Sequence, residues 1–137
     1  MSVEFIDTNV LVYAYDPTAG EKRNVGIALL TRLAESSAGA VSTQVLAEFY
    51  AVATRKLGVK SEAAEAVLSD FGIWAIHRPA HADLLRSAQL QRRHMIGWWD
   101  AMILNSSLQL GASILWTEDF SHGQQFGDLT IKNPFAQ

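Results

Sequence analysis

The stretch Val3-Glu4-Phe5-Ile6-Asp7-Thr8-Asn9 is a short apolar run that ends on an acid and continues into capping residues. It predicts a buried strand over residues 3–7, followed by a short helix that begins at Thr8-Asn9 and runs through Tyr15. Residues 39–42, 73–76, 114–117 and 129–131 have similar strand character. A strand that leads directly into a helix, in a chain that repeats this order, is typical of a parallel sheet covered on both faces.

Amphipathic segments with helical spacing separate the predicted strands. They predict helices over residues 21–36, 43–57, 61–72, 80–95 and 98–110, and glycines follow or close several of them. Thr43 is expected to cap the second of these helices. No repeat, linker or low-complexity tract divides the chain. The predicted fold class is therefore α/β, a three-layer α/β/α arrangement with a central parallel sheet of four to five short strands.

Composition restricts the class of protein. The 137-residue chain is 49% hydrophobic and 18% charged, which excludes a disordered or fibrous protein. It contains no cysteine, so disulfides and thiolate zinc sites are excluded. No apolar run approaches the ~18 residues of a membrane span, and the segment Met1-Ser2-Val3-Glu4-Phe5 lacks the basic region of a secretory signal. A cytoplasmic protein with no membrane partner is the expectation.

Four acids stand where an apolar chain tolerates charge poorly. Asp7 and Asp119 end apolar runs, and Glu48 and Asp100 interrupt apolar helices. Because functional groups gather at the carboxyl ends of parallel strands, Asp7 and Asp119 are expected at the same edge of the sheet. Helical spacing places Glu48 and Asp100 on apolar flanks, facing the interior or a cleft. The four carboxylates are therefore expected to converge.

A shared cation explains these acids together. A carboxylate in apolar surroundings is costly unless it is paired or binds a metal, and no Lys or Arg stands beside the four in sequence. Oxygen ligands without His or Cys select hard cations such as Mg²⁺ or Mn²⁺. Four acids exceed the usual need of one magnesium ion, which leaves room for a second ion or for one acid as a base. Taken singly, each acid also fits a turn, a cap or a surface position.

Other polar and aromatic features leave alternatives open. The segment from His77 to His94 contains four arginines and one acid, Asp83, so it carries a net positive charge. This basic segment either binds a phosphate backbone or is a solvated helix face. Adjacent Trp98 and Trp99 point about 100° apart on a helix, so they cannot both stack on bases at one face. Packing or a subunit interface is expected for at least one of them. The four histidines lack metal-ligand spacing and are expected to be exposed or packed in the core.

Four sequence blocks, residues 5–11, 42–49, 99–104 and 115–120, together with the tail 127–135, cover nearly the whole chain. In this order they resemble the PIN domain, and in particular the VapC-type ribonuclease toxins of bacterial toxin–antitoxin pairs. The resemblance implies a single PIN-like nuclease domain over residues 1–137, acting as an endoribonuclease that depends on one or two Mg²⁺ or Mn²⁺ ions. It also implies an RNA substrate, a homodimer and inhibition by a small cognate antitoxin.

The resemblance also implies roles for individual residues. The catalytic metal cluster would be Asp7, Glu48, Asp100 and Asp119, with Asp7 and Asp100 foremost among the direct ligands. Asn9 and Thr117 would orient carboxylates or water around the cluster, and Glu118 is interpreted as peripheral. RNA would pass over a positive surface, whose candidates by charge are Arg78, Arg86, Arg92, Arg93 and Lys56.

Three other functions share single features with this sequence. A phosphotransfer domain of the haloacid dehalogenase type requires Asp-x-Asp after the first strand, but Asn9 stands at the second acid position. A response-regulator receiver requires adjacent acids there and a lysine after a late strand, and neither is present. The third alternative is a PIN-like module that binds RNA or protein without cutting, and the four intact acids argue against it.

Overall fold

A sheet of six short strands organises the computed structural model, which describes residues 2–136. The strands are β1 (Glu4–Ile6), β2 (Gly39–Ser42), β3 (Ala75–His77), β4 (Ile114–Trp116), β5 (Gln125–Phe126) and β6 (Leu129–Lys132). The helices are α1 (Thr8–Ala14), α2 (Glu21–Ser36), α3 (Thr43–Arg55), α4 (Ser61–Asp70), α5 (His81–His94) and α6 (Trp98–Gln109). The strand order is β3-β2-β1-β4-β6-β5, with β5 antiparallel to β6 and the other pairs parallel.

Helices flank this sheet, as the sequence predicts. Helix α1 packs against α2 and α3, α3 packs against α4, and α5 packs against α6. The side chains of Phe5 on β1, Leu115 on β4 and Leu104 on α6 are completely buried between these layers. Full burial of such a side chain contributes about 1.5–3 kcal/mol, so the inner strands and the helices over them are held by one apolar core. The predicted α/β class is confirmed.

The position of β1 determines where functional groups meet. After β1 the chain passes to β2 and β3 on one side, and it later returns to β4 on the other side of β1. Such a reversal opens a crevice at the carboxyl ends of the strands. The backbone N–H of Asp7 donates to the carbonyl of Trp116 at 3.0 Å, so the residues after β1 and after β4 emerge side by side.

Two helix caps differ from the prediction by one residue. Helix α1 is capped by Asp7, whose Oδ1 accepts from the Thr8 N–H at 2.6 Å. Helix α3 is capped by Ser42, whose Oγ accepts from the Val45 N–H at 3.2 Å. Asp7 directly follows β1, and Ser42 is the last residue of β2. In both places the strand therefore leads into the helix without a loop. The sequence placed both caps one residue too late.

Two strands also differ from the prediction. A 3₁₀ turn over Phe71–Ile73 continues α4, leaves Ile73 87% exposed, and delays the third strand to Ala75. The sheet has six strands because the two-residue strand β5 pairs with β6 across a turn at Gly127-Asp128. Gly127 has φ +61°, which the first position of a type I′ or II′ hairpin turn requires. A strand of two residues is too short for hydrophobic alternation to reveal it.

Within residues 2–136, every helix is too short or too polar to cross a bilayer.

Candidate active site

Three of the four predicted acids meet at the carboxyl edge of the sheet. Asp7 follows β1, Asp119 lies in the loop after β4, and Asp100 lies in the first turn of α6. One carboxylate oxygen from each of them lies within 4.8 Å of the others. Segments that are distant in sequence are thus brought together by the strand order and by the start of one helix.

Asp7 is fixed on both of its oxygens. Its Oδ1 accepts from the Thr8 N–H at 2.6 Å, and its Oδ2 accepts from the Thr117 hydroxyl at 2.8 Å. The Thr117 oxygen in turn accepts from the backbone N–H of Asp119 at 3.0 Å. Thr117 is completely buried and Asp7 nearly so. This chain of hydrogen bonds therefore sets the position of one carboxylate relative to the backbone of another.

Asn9 orients the third acid. Its Nδ2 donates to Asp119 Oδ2 at 2.9 Å, across the gap between α1 and the loop after β4. Its Oδ1 is buried and has no hydrogen-bond partner among the described residues. Asn9 and Thr117, which the resemblance implies as groups that orient carboxylates or water, thus each donate a hydrogen bond to one of the acids.

Glu48 stands apart from the group of three. Its Oε1 accepts from the Thr8 hydroxyl at 2.6 Å, so the side chain is held against α1. It nevertheless lines the same cavity, and its negative charge contributes to raising the pKa of Asp100. The structure thus brings Glu48 to the site beside the three clustered carboxylates, and its direct contact with an ion stays a prediction.

Burial makes charge on these acids costly. Desolvation, together with the charges of Asp119 and Asp100, raises the pKa of Asp7 to about 7, and the hydrogen bonds from Thr117 and Thr8 oppose this only in part. Burial also raises the pKa values of Asp100 and Asp119, with additional repulsion from Asp119 and Glu48 on Asp100 and from Glu118 on Asp119. A cation would relieve this repulsion because it favours the ionised form of all three.

The acids open into a cavity of about 530 Å³. None of the described residues that line it is a Lys, Arg or His, so no side-chain cation there neutralises the carboxylates. Both amide atoms of Gln44 are buried in this region without a partner among residues 2–136, as is Asn9 Oδ1. Carboxylate oxygens bind hard divalent cations such as Mg²⁺ or Mn²⁺, and the unpartnered amide groups can hydrogen-bond to the waters that such an ion retains. The residues present therefore fit such an ion.

Sequence reasoning missed Gln44 and Tyr13 as cavity residues, and it treated Thr8 only as a helix cap. Gln44 precedes Glu48 by one helical turn, so its spacing was a usable signal. No comparable pattern marks Tyr13.

The Tyr13 hydroxyl donates to Glu118 Oε1 at 2.6 Å, and Lys22 donates to Glu118 Oε2 at 2.9 Å. Glu118, predicted to be peripheral, is thus engaged by α1 and α2.

The two adjacent tryptophans have different surroundings. Trp98 is half-buried, whereas Trp99 is 61% exposed and lines the cavity next to Asp100. Packing is therefore not the role of Trp99 within the chain, because most of its indole surface contacts no other part of the described residues.

The five basic candidates are all exposed, and none is among the described residues that line the cavity. Lys56 comes nearest, since it lines a neighbouring cavity whose wall shares Val12 and Val52 with the first. Arg86 is engaged by Asp83, with Nη1 to Oδ1 at 3.3 Å. The structure thus gathers the acids but leaves the positive surface spread over α5 and the end of α3.

The histidines lie outside the acid cavity. His77 is largely buried, with Nδ1 2.7 Å from the Ser106 hydroxyl and Nε2 3.4 Å from Asp83 Oδ1. His94 packs edge-on against Phe126, with ring centroids 4.8 Å apart. His122 is exposed and accepts a backbone hydrogen bond from Asn133, and His81 is also exposed. These positions agree with the expected packing or exposed roles.

Comparisons with known proteins give a consistent family and fold. The family profile described as PIN domain matches residues 5–123. A comparison with curated protein sequences found no significant match. Among solved structures, VapC20 of Mycobacterium tuberculosis, described as a sarcin-ricin loop cleaving toxin, aligns with a TM-score of 0.67 at 16% identity over 85% of this chain and 89% of that one.

Two toxin–antitoxin assemblies are also similar. A toxin–antitoxin complex from Klebsiella pneumoniae aligns with a TM-score of 0.69 at 19% identity, covering 98% of both chains. VapBC2 of Rickettsia felis, bound to a DNA fragment from its promoter, aligns with a TM-score of 0.65 at 23% identity over 96% of this chain and 98% of that one. At these identities the likeness establishes the fold.

Proposed function

Because the chain belongs to the PIN domain family, we propose that it is an Mg²⁺- or Mn²⁺-dependent endoribonuclease that cleaves RNA phosphodiester bonds, the toxin of a toxin–antitoxin pair. The observation that carries this proposal is the meeting of three carboxylate oxygens within 4.8 Å in a cavity without a basic lining residue among those described. The structural likeness to a described RNA-cleaving toxin and to toxin–antitoxin complexes supports it.

In this proposal Asp7, Asp100 and Asp119 hold the ion. The bound ion supplies Lewis acidity, which neutralises charge on the phosphate and makes water more acidic. Glu48 lies in the wall of the same cavity and serves either a second ion or proton transfer. With Oε1 engaged by Thr8, it presents Oε2 as an acceptor for a proton from the attacking water.

The surrounding residues keep the carboxylates in place during the reaction. Thr117 and Thr8 hold Asp7, and Asn9 holds Asp119, so these two carboxylates are already oriented before RNA binds. Water attacks the phosphorus in line with the leaving oxygen, and the pre-positioned site stabilises the charge that develops on the phosphate.

The remaining parts of the proposal concern binding and assembly. RNA contacts the exposed basic residues of two separate regions, on and just before α5 and just after α3, which are Arg78, Arg86, Arg92, Arg93 and Lys56. Residues 1–137 act as a single nuclease domain, in a cytoplasmic homodimer that a small cognate antitoxin keeps inactive. The toxin–antitoxin complexes among the similar structures support the antitoxin partner.

Cleavage of a labelled RNA by purified protein tests the proposal. We expect cleavage with Mn²⁺ or Mg²⁺, loss with EDTA, and recovery when Mn²⁺ is restored. Asp7→Asn should abolish cleavage while circular dichroism shows a folded protein. Asp128→Asn is the matched control, because this exposed aspartate in the β5–β6 turn should leave cleavage unchanged. RNA that is bound but never cut in Mn²⁺ would instead indicate a non-catalytic binding module.

A further inference from the structure

The cavity lining combines polar and apolar residues. On three helices a polar or acidic lining residue is followed one turn later by an apolar one, which places both on the same helix face. These pairs are Asn9 and Val12 on α1, Glu48 and Val52 on α3, and Asp100 and Ile103 on α6. Asp7 and Asp119 follow strands and Asp100 lies in the first turn of α6, whereas Glu48 lies further along α3. Val12, Val52 and Ile103 form the apolar wall of the cavity.

Trp99 lines the same cavity, and its side chain is largely exposed. It is the residue before Asp100, and Ile103 lies one helical turn further along the same side of α6. The other three tryptophans are at least half-buried, and two of them have identified partners: Trp74 packs against Phe71, and Trp116 donates its indole N–H to Glu4. An exposed tryptophan in a functional cavity has most of its aromatic surface free for a ligand.

A nucleotide matches both the acidic and the apolar residues of the cavity lining. Its phosphate carries the negative charge that an ion held by the acids would bind, and its base is a flat aromatic group that stacks on indole. The cavity volume of about 530 Å³ lies within the range of about 300–1,000 Å³ for pockets that enclose small ligands. A base in a duplex is already stacked on both sides and paired at its edge, so it must leave the helix to reach this wall.

We propose that Trp99, with the apolar wall formed by Val12, Val52 and Ile103, binds an unpaired base of the nucleotide next to the scissile phosphate. The inference rests on the proposed nuclease function and adds to it one residue, Trp99, that recognises the RNA. Trp99 contacts the substrate and leaves the ion untouched, so its removal should weaken substrate binding more than it slows the bound substrate's cleavage.

Steady-state cleavage of a single-stranded RNA separates these effects. We expect Trp99→Ala to raise KM about 5- to 150-fold, the range that corresponds to removing the stacking of one base, with a much smaller change in kcat. Trp99→Phe, which keeps an aromatic face, should recover most of the affinity. Met95→Ala is the matched control, because Met95 is an exposed apolar residue outside the described cavity lining. The same RNA annealed to its complement should be a poor substrate.

Fluorescence provides a direct readout of stacking. Single-stranded RNA added to the non-cleaving Asp7→Asn variant should quench tryptophan emission. The Asp7→Asn/Trp99→Phe double variant should show little quenching, because the remaining tryptophans are at least half-buried. Unchanged KM and unchanged quenching in the Trp99 variants would overturn the inference.

Two further outcomes distinguish competing explanations. If Trp99→Ala changes the mass measured by light scattering and weakens RNA binding only through that change, Trp99 is a contact between copies of the chain and the inference is overturned. If wild-type protein cuts no RNA in Mn²⁺, the proposed nuclease function fails, and the fluorescence titration still decides whether Trp99 binds an unpaired base.

Discussion

The hydroxyl of Thr117 joins two acids of the candidate site, since it donates to Asp7 Oδ2 at 2.8 Å and accepts from the Asp119 backbone N–H at 3.0 Å. Thr117 is completely buried, so water has no direct access to replace either bond. One side chain therefore determines the separation between the acid at the end of β1 and the acid in the loop after β4.

Thr117→Val should weaken metal binding while the fold persists. Valine has nearly the same shape, but it removes the donor to Asp7 and the acceptor for the Asp119 N–H. Removing such a supporting hydrogen bond lowers metal affinity or activity about 10- to 100-fold, which Mn²⁺ titration and cleavage assays measure. Thr117→Ser keeps the hydroxyl and serves as the control. Equal Mn²⁺ affinity in the valine variant and the wild type would contradict this role.

Asp7→Asn should stabilise the metal-free protein. Asp7 is buried beside Asp100 and Asp119, and burial raises its pKa to about 7, so its charged form is unfavourable when no cation is bound. Asparagine is neutral and still accepts from the Thr8 N–H. In EDTA at pH 8 we expect a higher Tm for the variant than for the wild type. Adding Mn²⁺ should raise the wild-type Tm and leave the variant nearly unchanged; the reverse pattern would refute the assignment of Asp7 to the ion.

Much of the site followed from sequence because each acid was marked by local context. A charge at the end of a short apolar run identified Asp7 and Asp119, and helical spacing showed that Glu48 and Asp100 face inward. The convergence of the strand ends then required only the parallel arrangement of the sheet. These are properties of short segments, and tertiary packing preserved them.

The parts that sequence did not predict depend on contacts between distant segments. Glu48 is not one of the group of three, and it accepts a hydrogen bond from the Thr8 hydroxyl, 40 positions away in sequence. The exposure of Trp99 and the partial burial of Trp98 depend on where α6 lies against the sheet and α5. Strand β5 exists only because β6 offers it a partner. No local pattern specifies such pairings.

Asp83 should make stability depend on acid pH. Its Oδ2 accepts from the Ala80 N–H at 2.8 Å and its Oδ1 from Asn105 at 2.9 Å, and these bonds hold its pKa below the usual value of 3.8. A depressed folded-state pKa means that the stabilisation is full above the unfolded value and is lost as pH falls through the folded one. Asp83→Asn should therefore cost about 1.5–3 kcal/mol at pH 6, and progressively less as pH falls below the usual aspartate pKa.

Urea unfolding of the wild type and of Asp83→Asn, from pH 6 down to below the usual aspartate pKa, measures this difference in the free energy of unfolding. Arg86→Ala is the control, because the Arg86 side chain is about half exposed and its pair with Asp83 should contribute about 1 kcal/mol or less. A pH-independent difference between wild type and Asp83→Asn would show that the carboxylate charge has no part in the effect.

Lys56→Gln should weaken RNA binding in a salt-dependent way. Lys56 is exposed and lines the cavity that shares Val12 and Val52 with the acid site, which places its charge beside the proposed path of the RNA. Binding of a lysine to a phosphate releases a counterion, so without this lysine the slope of log K against log salt should fall by about 0.7 for single-stranded RNA. Titrations of the Asp7→Asn variant at several salt concentrations measure this slope. Lys60→Gln removes the same charge from an exposed position outside the described lining of both cavities, and an equal change there would show that only net charge matters.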